Sequence, residues 1–243
     1  MSELLDEVLD AYGGAECWRS IATITARGRL GGLLPKRFPG SKLSNFTVEV
    51  SVAEQRTVLH DFPQAGQFGV FDRGEARIES SDGELIDVRA DPRSAFLGLS
   101  GIRRNFHWDP LDTTYFAGYA FWNYLTAPHL LTHDGVTVTE GEPCRQSGRQ
   151  WRRLVATFPT HIDTHCRQQI FYVDTDGLIG RHDFVAEPVG SWANGALYCS
   201  RYRRIDGIVF PTQRRVFPRG PGLRVLPWPT LLALDFDGIE IGH

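Results

Sequence analysis

This sequence of 243 residues lacks several features that would identify a membrane, secreted or redox protein. No run reaches the ~18 apolar residues that a membrane-spanning helix needs, so we predict no membrane span. The N-terminal segment lacks the basic start and apolar core of a secretory signal, so we expect a cytoplasmic location. The cysteines form no Cys-x-x-Cys pair, which argues against a zinc knuckle or a dithiol redox motif and indicates reduced thiols: Cys17, Cys144, Cys166 and Cys199.

An excess of positive charge is also missing, because the formal net charge at pH 7 is -3. Such a chain has no general attraction for phosphate or anionic lipid. Its arginine clusters fall mostly in segments with strand periodicity, where neighbouring side chains point to opposite faces of a sheet. We therefore predict no nucleic-acid partner.

The motifs of common enzyme and cofactor sites are absent as well. The sequence contains no Gly-x-Ser-x-Gly elbow, no Gly-x-Gly-x-x-Gly loop, no phosphate loop and no His-Glu-x-x-His pair. His161, Asp163 and His165 alternate like the ligands of some metal sites. Residues two apart on a strand are separated by ~6.6 Å, however, so three in line could not all reach one ion. Pro159-Thr160 just before them indicates a loop that could curl and bring them together, but three polar residues of a loop are the simpler explanation. We predict neither a cofactor nor a bound metal.

Turn signals are abundant and indicate the fold class. Asp-Gly steps begin at residues 82, 134, 176, 206 and 237, and most of them separate short runs that alternate apolar and polar residues. This dipeptide suits the tight turns between antiparallel strands. We predict a mainly β fold with helices (α+β), in which about ten or eleven strands form a curled, incompletely closed antiparallel barrel. Because no linker-like segment interrupts the chain, residues 1–243 are predicted to form a single domain.

Two helices are predicted to accompany the strands. Residues 1–14 show helical spacing of apolar residues, with Ser2 as the cap and Gly13-Gly14 as the stop. Residues 109–126 begin with the cap Asp109 followed by Pro110, and contain the aromatic run YFAGYAFWNYL. A helix that is apolar on all sides must be buried, so we expect this one to lie inside the curled sheet.

Three segments carry a resemblance to a known group. Residues 10–30 (DAYGGAECWRSIATITARGRL) resemble the N-terminal helix, Gly-Gly stop and first strand of LolA- and LolB-like proteins, the carriers that sort outer-membrane lipoproteins. Residues 169–184 and 202–217 resemble the paired hairpins of that group, and residues 106–131 resemble its uncharacterised cytoplasmic members. The resemblance implies an incomplete barrel around helices with an apolar cavity. Because the sequence lacks an export signal and a lipoprotein cysteine near its start, lipoprotein transport is not the expected function.

Aromatic residues supply the predicted ligand-binding set. On the central helix, Tyr115, Tyr119 and Trp122 form one stripe whose polar atoms need partners when buried, and Trp108 lies just before it. On predicted strands, His60, Phe62 and Phe184 share faces with other apolar residues. Each of these residues also has a plain structural explanation as part of a core.

Four residues are predicted to move a proton if the protein is an enzyme: His107, Asp109, His165 and His182. Asp109 is explained equally well as a helix cap. A histidine on an apolar face is more often a hydrogen-bonded core residue than a catalyst.

These patterns leave three hypotheses about function. The first is binding of a lipophilic small molecule, such as a lipid, an isoprenoid or a polyketide-like compound. The second is a cofactor-independent cyclase, isomerase or lyase that acts on such a molecule in the same pocket. The third is a protein-interaction module that uses an open strand edge and has a filled core.

Overall fold

The protein is described by a computed structural model that covers residues 2–37, 43–97, 107–146, 148–222 and 224–243. Within these residues, one antiparallel sheet of 13 strands accompanies three α-helices and three short 3₁₀ helices. The 3₁₀ helices are Leu34–Arg37, Ser94–Phe96 and His129–Thr132.

The first two helices precede the sheet. Helix α1, Glu3–Ala11, begins where the Ser2 side chain accepts a hydrogen bond from the backbone N–H of Leu5 at 3.2 Å. Gly13 follows it with a φ of 116°, a left-handed conformation that glycine adopts without strain. Helix α2, Gly14–Arg19, then leads into the first strand. The helix predicted from residues 1–14 corresponds to α1 and this glycine stop.

Helix α3, Pro110–Thr126, is the long aromatic helix. The Asp109 carboxylate accepts the Asp112 N–H at 2.8 Å, and the Asp112 carboxylate accepts the Asp109 N–H at 3.3 Å, which forms a capping box. Every residue of α3 from Leu111 to Thr126 is buried. The helix therefore runs through the interior, as its apolar composition requires.

The strands follow one another as a meander in each half of the chain. They are β1 Thr23–Gly31, β2 Asn45–Ser51, β3 Arg56–His60, β4 Gln67–Asp72, β5 Glu75–Ser80, β6 Leu85–Arg89, β7 Thr137–Gln146, β8 Arg149–Thr157, β9 Gln168–Val173, β10 Ile179–Val185, β11 Asn194–Ile205, β12 Ile208–Pro218 and β13 Leu232–Gly242.

Pairing of the first strand with the last joins the two halves. The strand order is β6-β5-β4-β3-β2-β1-β13-β12-β11-β10-β9-β8-β7. Thr23 lies opposite Gly242 and Gly31 lies opposite Ala233, so β1 and β13 pair along nearly their full length. Strands β6 and β7 end the order without pairing to each other, so the sheet is open, as predicted.

The predicted number of strands was too low. We expected about ten or eleven, and the sheet has 13. Strand β7 carries no alternating apolar face because it is an edge strand with mostly exposed side chains. Sequence periodicity does not reveal a strand whose residues fail to alternate between apolar and polar.

Helix α3 packs closely against the inner face of the first half of the sheet, strands β2–β6. A Cβ atom added at Gly118 would lie 2.3 Å from the Cβ of Phe71, far inside contact distance. The Thr57 hydroxyl donates a hydrogen bond to the Gly118 carbonyl at 2.9 Å. Glycine at this position therefore allows the helix to approach the sheet.

Candidate functional site

A cavity of about 290 Å³ lies between α3 and the inner face of the second half of the sheet. We call it the main cavity. The sheet contributes Phe184 of β10, Gly195 of β11, Val216 of β12 and Leu234 of β13. The helix contributes five residues that repeat at intervals of four along one side: Phe116, Ala117, Ala120, Phe121 and Tyr124.

Small side chains create the space. Ala117 and Ala120 are the residues of α3 that present only a methyl group to the main cavity, and Gly195 faces it from the sheet. Large side chains at these three positions would fill the volume that the aromatic residues around them leave free.

Exposed residues mark where the main cavity opens. Leu33 is 45% exposed and Trp192 is 65% exposed, and both line it. By contrast, Phe116, Tyr124 and Phe184 at its inner end are buried. The cavity is thus a pocket with an apolar mouth.

His165 contributes a polar side chain to the inner wall. Its Nδ1 lies 3.0 Å from the Tyr119 hydroxyl and its Nε2 lies 2.9 Å from the Tyr124 hydroxyl. Its ring stacks on Phe184 with 4.1 Å between centroids. Burial, with a smaller effect of the Arg93 charge, lowers the pKa of His165 to about 3. A neutral imidazole has one donor and one acceptor nitrogen, so one tyrosine donates to it and the other accepts.

A second hydrogen-bonded group lies behind this wall. The Tyr115 hydroxyl donates to the Asp163 carboxylate at 2.7 Å, and Arg93 donates to the Tyr115 oxygen at 3.2 Å. Burial raises the pKa of Asp163, while the hydrogen bond from Tyr115 and the charge of Arg93 oppose that shift. None of these three side chains lines the main cavity.

An inner cavity of about 20 Å³ continues the main cavity along the sheet. Tyr124 lines both cavities. Arg214 and Val216 are two residues apart on β12, so they share a face; Val216 lines the main cavity and Arg214 the inner one. Tyr124, which is hydrogen-bonded to His165, therefore lies at the boundary between the two spaces.

Of the four predicted catalytic residues, His165 alone lines the main cavity. His182 lines the inner cavity, where its Nε2 lies 2.6 Å from the Gln169 Oε1. Burial holds its pKa well below the usual value, and the positive charge of Arg214 acts in the same direction. Asp109 caps α3 and pairs with Arg89 at 2.9 Å, and His107 is exposed just before it. The catalytic roles of all four remain predictions.

Of the predicted ligand-binding residues, Phe184 lines the main cavity and the others do not. Tyr115 packs edge-on against Phe71, and the Trp122 indole donates to the Ser51 carbonyl at 2.8 Å. These contacts place Tyr115 and Trp122 against the first half of the sheet, and another side of α3 faces the cavity. The remaining residues pack elsewhere: Trp108 against Phe96 and Phe116, His60 against Phe68, Phe62 near Gly69, and Tyr119 against His165.

Sequence reasoning missed the residues that give the site its shape. Ala117 and Ala120 stand among aromatic residues, and this pair of small side chains is the signal that could have indicated the cavity side of α3. Trp192 and Arg214 carried no periodic signal of their own, because their roles depend on neighbours from other strands.

Within the part of the chain that the structure describes, we find neither a metal site nor a membrane-spanning helix. In the described ranges, no three His, Cys, Asp or Glu side chains are grouped so that they could hold an ion. The same ranges contain no helix with the length and apolarity to cross a bilayer.

Comparison with known proteins shows similarity in structure but not in sequence. No family model matches the chain, and no curated protein matches it. A LolA superfamily protein from Nitrosomonas europaea superposes with a TM-score of 0.54 at 11% identity, over 98% of this chain and 92% of the other.

Two further structures cover 98% of this chain and 91% of their own. A DUF1329 family protein from Desulfovibrio piger gives a TM-score of 0.51 at 12% identity. A domain from Vibrio parahaemolyticus, described as an outer membrane lipoprotein-sorting protein domain, gives 0.52 at 9% identity. The open sheet around a buried helix is therefore a LolA-like fold.

Proposed function

We propose that the protein binds a lipophilic small molecule in the main cavity, a lipid, an isoprenoid or a polyketide-like compound. The observation that carries the proposal is the cavity itself, about 290 Å³ between α3 and the second half of the sheet. This volume is at the lower end of the range for small-molecule sites, ~300–1,000 Å³. The LolA-like fold, shared with a domain described as lipoprotein-sorting, supports a function in enclosing apolar chains.

The composition of the wall supports binding of an apolar guest. Phe116, Phe121, Phe184, Val216 and Leu234 all line the cavity, and each is buried. Transfer of apolar surface from water into such a site contributes about 25 cal/mol per Å². A guest with little polar surface would therefore gain most.

The enzyme hypothesis is weakened by the protonation state of the histidine that lines the cavity. A cofactor-independent cyclase, isomerase or lyase needs a group in the cavity that can take up and release a proton near neutral pH. His165 has a pKa of about 3 and both ring nitrogens engaged by tyrosines, so it is a poor base at pH 7. We therefore favour binding without reaction.

The test is occupancy of the cavity. Native mass spectrometry of the purified protein, followed by extraction, should reveal a lipophilic molecule, and the parent protein should bind the neutral probe N-phenyl-1-naphthylamine. Ala120→Trp should reduce probe affinity at least about tenfold, because the indole occupies the volume that the probe needs. Recovery of the extracted molecule in altered form after incubation with the protein would instead favour the enzyme.

The matched control is Ala53→Trp, the same substitution at an exposed position. It should leave probe binding unchanged. If the parent binds no probe and releases nothing on extraction, or if Ala120→Trp binds as the parent does, the proposal is wrong.

A further inference from the structure

Arg214 is a buried cation that has no carboxylate partner among the described residues. It is 4% exposed, and among the described residues it forms no ion pair. Its Nη2 donates to the Tyr124 carbonyl, and its Nη1 lies 3.3 Å from the Cys199 sulfur. Its Nε has no hydrogen-bond partner in the part of the chain that the structure describes.

The neighbours of Arg214 offset only part of the energetic cost of burying its charge. The Tyr124 carbonyl belongs to the last turn of α3, and carbonyl dipoles there favour a nearby cation. Arginine stays ionised in protein interiors, so it cannot lower the cost of burial by losing its proton. One water molecule fits a cavity of about 20 Å³, but water would leave the positive charge uncompensated.

The position of Arg214 connects it with the main cavity. It lies opposite Leu234 in the pairing of β12 with β13, and Leu234 lines the main cavity. Its guanidinium lies 5.2 Å from the centre of the Tyr124 ring. A molecule that enters from the mouth and lies along α3 would therefore reach Arg214 once the Tyr124 ring turns aside.

We propose that the ligand of the main cavity carries an acid group at one end and that Arg214 receives this group at the inner end. The inference rests on the function proposed above and specifies its ligand class as an amphiphile with an anionic head. The apolar part of the molecule lies against Phe116, Phe184 and Val216, and its head passes the Tyr124 ring to reach Arg214. A carboxylate matches the planar donor pattern of a guanidinium.

The experiment compares two probes of equal chain length, dodecanoate and dodecan-1-ol, by displacement of N-phenyl-1-naphthylamine. The parent should bind dodecanoate at least about tenfold more tightly than the alcohol, the ratio expected for one charge-assisted hydrogen bond. Arg214→Gln should remove this preference and leave the affinity for the alcohol within about twofold of the parent. Arg214→Lys, which keeps a charge without the planar donor pair, should retain part of it.

Arg215→Gln is the matched control. Arg215 is the next residue on β12, and it pairs with Asp235 at 2.8 Å instead of lining either cavity. This variant should keep the parent's preference for dodecanoate.

The possible outcomes separate the two proposals. If the parent binds the neutral probe and both amphiphiles but shows no preference for dodecanoate, the acid-group inference is wrong and the binding function stands. Loss of preference in Arg215→Gln, or retention of the full preference in Arg214→Gln, also overturns the inference. If the Arg214 variants do not fold, Arg219→Gln decides, because Arg219 is the arginine that lines the main cavity: the preference for dodecanoate should persist in this variant, and its loss would overturn the inference. If the parent binds neither the neutral probe nor the amphiphiles, the binding function itself is wrong.

Discussion

The two halves of the sheet meet the same helix in different ways. On the side of β2–β6, Gly118 brings α3 so close that a single added carbon would overlap Phe71. On the side of β10–β13, Ala117 and Ala120 leave about 290 Å³ unfilled. Glycine at a contact lets two backbones approach, whereas alanine at a position without a close partner leaves a space. The comparison shows that one helix can be a packed core element on one side and the wall of a site on the other.

Truncation of a large side chain should give the largest difference in unfolding free energy between the two halves of the sheet. Phe71→Ala should lower the free energy of unfolding by about 3–5 kcal/mol, because it leaves a void in a packed region. Phe184→Ala should cost less, about 1.5–3 kcal/mol, since one side of this ring already borders a cavity. Urea unfolding of both variants measures the difference. Equal losses would contradict the division into a packed half and a cavity half.

A smaller effect is expected from enlarging the small residues of α3. Gly118→Ala should lower the free energy of unfolding by about 1–3 kcal/mol, because the overlap with Phe71 outweighs the better helix propensity of alanine. The matched change on the cavity side, Ala120→Leu, should alter it by less than about 1 kcal/mol, because the added carbons enter free volume. A tolerated Gly118→Ala, measured in the same urea titration, would show that the helix approaches the sheet less closely than described.

The free energy of unfolding should fall gradually as the pH is lowered, because of His165 in the wall of the main cavity. The folded protein holds the pKa of His165 at about 3, below the ~6.5 of an unfolded chain, so the unfolded state binds more protons between these values. The stability contributed by neutral His165 is complete above pH ~6.5 and is lost as the pH falls toward 3, by about 1.4 kcal/mol per pH unit. In His165→Gln, the slope of unfolding free energy against pH between 6 and 4 should be lower by this amount. A variant slope equal to the parent's would contradict the assignment of His165 as a buried neutral side chain.

Much of the architecture could be predicted because it depends on neighbours in sequence. The Asp-Gly turns, the stop at Gly13 and the cap at Asp109 act over a few residues, so the meander and the buried helix followed from local patterns. Strand β7 was missed because its side chains are mostly exposed. Its existence depends on its partner β8, which sequence periodicity does not record.

The site was harder to predict for a different reason. When a helix is apolar on every side, its own sequence does not show which side faces a cavity. The stripe of Tyr115, Tyr119 and Trp122 was therefore as reasonable a prediction for the cavity wall as the stripe that forms it. Similarly, whether a carboxylate lies close enough to pair with Arg214 depends on which residues the other strands bring near it. Such properties arise only when the sheet is assembled.

The sheet can be completed only after β13 has been synthesised, because β13 joins its two halves. This strand, the last of the 13 along the chain, lies between β1 and β12 in the middle of the sheet. During translation, hairpins on either side can form as soon as their own strands have been synthesised. The pairing of Thr23 in β1 with Gly242 in β13 can form only after more than two hundred further residues have been added. Until β13 has been synthesised, one edge of β1 is unpaired and can pair with a strand of another nascent chain; pairing with β13 removes that edge.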